Sequence, residues 1–177
     1  PYAKKGWVPG RLVRDNKITY GALLAGPREL EVVMSGKVYH DAASDSELPA
    51  VGDWVALDVE VGGDKDDHVI RARLPRQTCF SRKLPGKSSE EQVMAANVSV
   101  VVVMTDAGSD FNPRRMERYF MLIERSRAKA VVLVNKSDLF PENLNTSAKE
   151  EVEELNPEAD VYITRAAQNE GLGVLKN

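Results

Sequence analysis

Four consecutive residues, Asn135-Lys136-Ser137-Asp138, have the types and spacing to do chemistry. They follow Ala130 to Val134, an apolar run that predicts a buried strand, and α/β sheets bind nucleotides at strand carboxyl ends. One carboxylate, Asp138, can accept two adjacent hydrogen bonds, which guanine offers in N1–H and its exocyclic amine. Adenine lacks that donor pair and would leave a desolvated carboxylate unpaired, a rejection worth several kcal/mol. Asn135 can bond both a base and a neighbouring loop, while the Lys136 stem can lie flat over a purine ring. The pattern N-K-x-D therefore points to guanine selection; the plainer alternative is a solvated helix-capping loop.

A second base-binding loop is expected after the next strand, Val161 to Thr164. Counting back from Gly171-Leu172 places Arg165-Ala166 where a Ser-Ala pair is usual, with the Ala166 N–H available to guanine O6. Arg165 cannot replace the serine hydroxyl's local bond. A shifted register gives that part to Thr164.

Nucleotide hydrolysis also needs a phosphate loop, GxxxxGK[ST], whose amides and lysine cradle the phosphates. The nearest approach is Ser81-Arg82-Lys83-Leu84-Pro85-Gly86-Lys87-Ser88, with serine where the first glycine belongs. Pro85 removes an amide donor, and Glu90-Glu91 would sit near the phosphates, so this stretch reads as a decoy.

The elements that must hold these residues fall into two kinds. Residues 8 to 77 alternate over short runs: Gly10 to Arg14, Ile18 to Ala25, Glu29 to Ser35, Val51 to Val59 and Val69 to Leu74. Five short strands in such a span predict a small closed barrel of OB or SH3-like type. From about residue 93 the period changes. Val98 to Thr105 predicts a parallel strand buried on both faces. Asn112-Pro113 offers an N-cap and first-turn proline ahead of a stripe of Met116, Tyr119, Phe120 and Ile123. Ala130 to Val134, an acidic helix from Ser147 to Leu155, and Val161 to Thr164 complete a strand-helix alternation. That pattern predicts a partial α/β domain of few strands, whose next helix starts near Gly171. The expected division is a barrel at 1–77, a basic linker at 78–92 and the α/β domain at 93–177.

Composition limits the alternatives. The chain has 177 residues, 24 Lys plus Arg and 27 Asp plus Glu, so it is not globally basic. Charge is blocked, however: Arg71, Arg73, Arg76, Arg82, Lys83 and Lys87 form a strip with no acid between them. Screening confines such a field to about 10 Å, so the strip can bind RNA phosphates on an acidic protein. One cysteine, Cys79, excludes an internal disulfide or multi-cysteine zinc site, and it reads as a small buried or semi-buried hydrophobe. His40 and His68 support neither a catalytic triad nor a metal site. No stretch approaches the roughly 20 apolar residues of a membrane span, and no secretory leader opens the chain, so a soluble cytoplasmic protein is expected. Trp7 and Trp54 read as barrel packing.

Read in order, the sequence resembles the circularly permuted GTPases of the RsgA/EngC (YjeQ) family. The resemblance rests on Val51-Gly52-Asp53-Trp54-Val55, Leu74-Pro75-Arg76, residues 80–86, Glu90 to Val93, Ala95 to Val98, Asp110 to Arg115, Glu117-Arg118-Tyr119 and Asn135 to Asp138. Ser99 and Arg165 depart from the family's pattern. The resemblance implies an N-terminal OB-fold, then a permuted GTPase domain whose phosphate loop and switches follow the second guanine loop, and a zinc-binding C-terminal region. It implies a GTP-hydrolysing assembly factor of the small ribosomal subunit, the barrel touching ribosomal RNA, with GTP or GDP and Mg²⁺ as ligands. Asn135, Lys136, Asp138, Arg165 and Ala166 would form the guanine site. Phosphate and zinc sites would lie beyond this sequence, leaving the chain alone inactive, with no catalytic residue of its own. The alternative is a non-catalytic RNA-binding module with a degenerate nucleotide fold. A third reading gives Gly86-Lys87-Ser88 to a different NTPase. Oligomeric state is left open.

Overall fold

The computed structural model describes residues 2–26, 28–59, 68–83 and 91–175, with the side chains of Ala3 and Lys83 excluded. Contacts divide the chain into two compact units, one ending at Val98 and the other starting at Ser99.

The first unit is built on a closed barrel of β1 (Val8–Asp15), β2 (Thr19–Leu23), β3 (Glu29–Met34), β4 (Trp54–Asp58) and β5 (His68–Arg73). Around the barrel the order is β1-β2-β3-β5-β4; β3 and β5 run parallel, and α1 (Gly36–Asp41) follows β3. That is the OB-fold, one of the two barrel types the alternation left open and the one the family resemblance implied. The β1–β2 hairpin turns at Lys17, whose φ is 74° and whose N–H donates to Asp15 Oδ1 at 2.7 Å. Leu12, Tyr20, Ala22, Val32, Val55, Leu57 and Ile70 point inward and form the core. Burying side chains such as Leu12, Leu57 and Ile70 stabilises the barrel by about 1.5–3 kcal/mol each.

Trp54 departs from the packing role expected of it. Its ring is exposed, and the Arg11 guanidinium lies 5.9 Å from the ring centroid on the cross-strand neighbour. Residues 78–92, expected as a linker, contribute β6 (Cys79–Lys83) and the start of β7 (Glu91–Ala96), an antiparallel hairpin inside the first unit. Ala96 N–H donates to Val51 O at 2.8 Å, and Asn97 Nδ2 donates to Gly52 O at 3.0 Å, tying the hairpin to the approach of β4.

In the second unit β8 (Val100–Thr105), β9 (Lys129–Val134) and β10 (Asp160–Ile163) form a parallel sheet in the order β10-β9-β8. The crossovers are α2 (Pro113–Ser126) and α3 (Glu142–Leu155). Asn112 Oδ1 caps α2 by accepting from Arg115 N–H at 3.1 Å, ahead of Pro113 in the first turn. Met116, Phe120 and Ile123 are buried along α2, and Tyr119 is half-buried. Helix α3 starts earlier than its acidic run suggests. Buried Asn145 donates to Ser137 O and Phe140 O at 3.0 and 3.1 Å, which holds the first turn onto the preceding loop.

The expectation of a first strand buried on both faces is corrected. Central β9 is buried from Ala130 through Val134, but β8 leaves Val100, Val102 and Met104 at 44%, 43% and 56% exposure. It is one of the two edge strands of this sheet, and a both-sided apolar composition does not reveal which strand lies at an edge. Leu172–Leu175 forms a short 3₁₀ turn rather than the expected start of a helix.

Candidate guanine-recognition site

The parallel register brings the ends of all three strands to one edge. Asn135 N–H donates to Thr105 O at 2.8 Å, and Thr164 N–H donates to Val134 O at 2.8 Å. The N-K-x-D residues therefore sit between the loop after β8 and the loop after β10.

Asn135 joins these loops through one atom. Its Oδ1 accepts the Thr164 hydroxyl at 3.1 Å and the Ala166 N–H at 3.0 Å, while its Nδ2 reaches Met104 Sδ at 3.6 Å. Of the two registers left open by the sequence, the local hydroxyl bond belongs to Thr164, whose side chain is buried. The Ala166 amide, expected to face guanine O6, is engaged by Asn135 here, so a bound base would share or displace that bond. Arg165 does a different job. Its backbone bridges Glu170 in both directions, at 3.0 and 3.2 Å, and its Nη1 lies 3.3 Å from Glu170 Oε2. The Arg165–Glu170 pair thus closes the loop carrying Ala166. Gly171 ends it with φ 75°; a Cβ there would fall 2.7 Å from Ile163 O.

Lys136 adopts a left-handed backbone, φ 57° and ψ 36°, and caps the 3₁₀ turn Ser137–Leu139 that carries Asp138. Leu139 N–H donates to Lys136 O at 3.0 Å, and Ser137 N–H donates to Thr164 O at 3.2 Å, so both sides of the turn are held. Asp138 is exposed, and among the described residues its carboxylate has no hydrogen-bond or ion-pair partner. An unpaired acceptor pair on a braced turn can take both guanine donors without first breaking a protein bond.

Sequence reasoning missed Asp106, the residue directly after β8. It is buried and lies 3.7 Å from the Lys136 ammonium. Its place at a strand's carboxyl end was the available signal.

The basic strip does not present its residues as one surface. Arg71 pairs with Asp58 at 2.8 Å, and Arg73 donates to Glu47 O and Leu74 O at 3.0 and 3.2 Å. Arg76 is turned inward, with its side chain 11% exposed. It bonds both oxygens of fully buried Asp53, Ser46 O, Leu48 O and Cys79 Sγ. Those five contacts use every N–H a guanidinium has, leaving none for a phosphate. Burial penalises the Arg76 cation, but the hydrogen bonds and charge of Asp53, with Cys79 beside it, outweigh that and hold its pKa above the ordinary value. Arg82 is exposed and donates to Gln92 Oε1 at 3.2 Å. The Lys83 side chain and Lys87, with the whole Leu84–Ser88 part of the decoy loop, lie outside the described residues.

Among the described residues no three His, Cys, Asp or Glu side chains group as a metal site, and no helix is long and apolar enough to cross a membrane.

A family profile described as RsgA GTPase matches residues 73–177. The protein named small ribosomal subunit biogenesis GTPase RsgA in Opitutus terrae is 36% identical, over 99% of this chain and 48% of its own length. The protein of that name in Syntrophotalea carbinolica is 35% identical, over 98% of this chain and 48% of its own. The chain thus spans about half the length of these curated relatives. Among solved structures, YjeQ from Thermotoga maritima superposes with a TM-score of 0.70 at 20% identity, covering 96% of this chain and 56% of that one. YloQ, described as a circularly permuted GTPase, gives 0.63 at 18% identity, covering 90% of this chain and 52% of that one. At those identities the structural likeness concerns the fold.

Proposed function

This chain belongs to the RsgA GTPase family, and from that premise we propose that it is the barrel and guanine-recognition half of a GTP-hydrolysing factor for assembly of the small ribosomal subunit. The observation that carries the guanine reading is the double acceptance at Asn135 Oδ1, which joins the Thr164–Ala166 loop to the turn presenting Asp138. In this reading Asp138 takes guanine N1–H and the exocyclic amine, Lys136 covers the purine face, and Ala166 offers its amide to O6. Arg165 acts indirectly, by closing the loop onto Glu170.

The phosphate loop, the Mg²⁺ contacts and the zinc region belong, on this proposal, to the part of the natural protein not spanned here. Mg²⁺, when bound, neutralises charge on the phosphates; this chain's residues only choose and orient the base. The chain alone therefore binds guanine nucleotides weakly and does not hydrolyse GTP, because polyphosphate contacts supply much of a nucleotide's affinity.

Ribosomal RNA contact falls to exposed Arg82 and the outer parts of Arg71 and Arg73, together with Lys83 and Lys87, which belong to the same strip in sequence. Arg76 is left out because its donors are spent inside. Such phosphate contacts weaken steeply as salt rises. The setting proposed is the cytoplasm, where small subunits are assembled.

The deciding experiment is a competition of guanine, adenine and xanthine nucleotides for the natural protein and its Asp138→Asn variant. An asparagine offers one donor and one acceptor, which matches xanthine's O2 and N1–H, so the variant should trade guanine for xanthine. Equal affinity for all three bases in the unaltered protein would overturn guanine selection. GTP turnover with and without small subunits tests the rest; no turnover in either case would favour the non-catalytic RNA-binding module.

A further inference from the structure

We infer that Asp106 is a positioning residue for nucleotide binding, holding the Lys136 side chain in place before the base arrives. This inference rests on the guanine-site reading above. Asp106 directly follows β8 and is 7% exposed, so its charge needs partners. Its two oxygens have separate duties. Oδ1 accepts the N–H of Gly108 at 2.9 Å and of Asp110 at 3.2 Å, which folds the 106–110 loop. Oδ2 faces the Lys136 ammonium at 3.7 Å.

The loop is anchored from several sides. The Thr105 hydroxyl donates to Asp110 O at 3.2 Å, and Arg115 from α2 pairs with the Asp110 carboxylate at 2.7 Å. On the other side, the Asn135 N–H bond to Thr105 O sets the lysine's backbone directly beside the end of β8. Asp106 is therefore a fixed anion, and Lys136 is the flexible partner with a side chain 59% exposed. A lysine stem free in solvent loses rotamer freedom when it settles on a base. One already tethered at its ammonium has less to lose, so binding is tighter.

The separate duties make the test clean. Asp106→Asn keeps an Oδ1 acceptor for the two amides but removes the charge facing Lys136. Lys136→Met keeps an unbranched stem but removes the ammonium. GDP carrying an N-methylanthraniloyl fluorophore would be titrated against the natural full-length protein, both single variants and the double variant, with thermal unfolding of each as a folding control. Asp106→Asn should weaken binding about three- to fivefold, the range of a partly exposed ion pair. In the Lys136→Met background the same change should cost nothing. Equal losses in both backgrounds would show that Asp106 acts only through its loop and would overturn the inference. Unchanged affinity for Asp106→Asn would overturn it too, provided Asp138→Ala does weaken binding. If Asp138→Ala and Lys136→Met both leave GDP affinity unchanged, the guanine site itself is misplaced and the inference falls with it.

Discussion

The Arg76 guanidinium meets the Asp53 carboxylate fork to fork, Nε to Oδ1 at 2.8 Å and Nη2 to Oδ2 at 2.7 Å. Asp53 Oδ2 also accepts the Ala50 N–H at 2.9 Å. One buried ion pair thus fastens the end of β5's extension to the turn before β4, and through Ser46 O and Leu48 O to the segment after α1. Removing one member strands a buried charge. Arg76→Ala should lower the stability of the first unit by about 3–5 kcal/mol in urea unfolding. Arg76→Lys should recover only part of that, because an ammonium cannot reproduce the fork. Weakened RNA binding with unchanged stability would contradict this assignment.

Thr164 supplies the only side-chain hydroxyl found on Asn135 among the described residues. Thr164→Val keeps the shape of the buried site and deletes that donor. GDP affinity should fall about five- to tenfold, the worth of one hydrogen bond. Thr164→Ser should bind like the unaltered protein, and a matching loss in both variants would show that the hydroxyl does not matter.

Gly52 has φ 89°, and a Cβ there would fall 2.0 Å from Ala96 O. The close approach is what lets β7 dock beside the approach to β4. Gly52→Ala should cost about 2–4 kcal/mol from left-handed strain plus the clash. Unfolding midpoints within error of the unaltered protein would refute this.

The Tyr20 phenol is held above its ordinary pKa of 10.0, first by burial and then by the charges of Asp15 and Asp53. Its folded pKa exceeds its unfolded one, so the folded state keeps the proton longer. The corresponding stability is complete below the unfolded value and is lost as pH rises from about 10 through the folded value. Lys129, raised by its hydrogen bond and charge pairing with Asp160, contributes with the same sign above its ordinary 10.5. Urea unfolding of Tyr20→Phe should therefore decline less steeply above about pH 10 than that of the unaltered protein. An unchanged slope would mean that the phenol is not linked to folding.

Much of the site was legible because its chemistry is local. Asn135 and Lys136 follow β9 directly and lead into the 3₁₀ turn that carries Asp138, so their placement at a strand's carboxyl end follows from neighbours along the chain. The same holds for the strands. Alternation at period two predicts the strands, and in the closed barrel Leu12, Val32, Val55 and Ile70 are the residues that point inward, since a pleated backbone sends successive side chains to opposite faces. Asn112-Pro113 announces α2 for an equally local reason.

What only the tertiary structure decided are the partnerships between distant segments. Arg71, Arg73 and Arg76 look alike in a basic strip, yet barrel closure places Asp53 against Arg76 alone, 23 residues away. Arg165 and Thr164 compete for one role in sequence; the depth of the parallel register under Asn135 gives the hydroxyl bond to Thr164 and leaves Arg165 to Glu170. Asp106 is an unremarked acid until β8 and β9 lie side by side and its second oxygen faces Lys136. The division is physical: residue type and backbone period follow from the nearest neighbours along the chain. Which charge is buried, and against what, is fixed only when strands far apart in sequence have closed on one another.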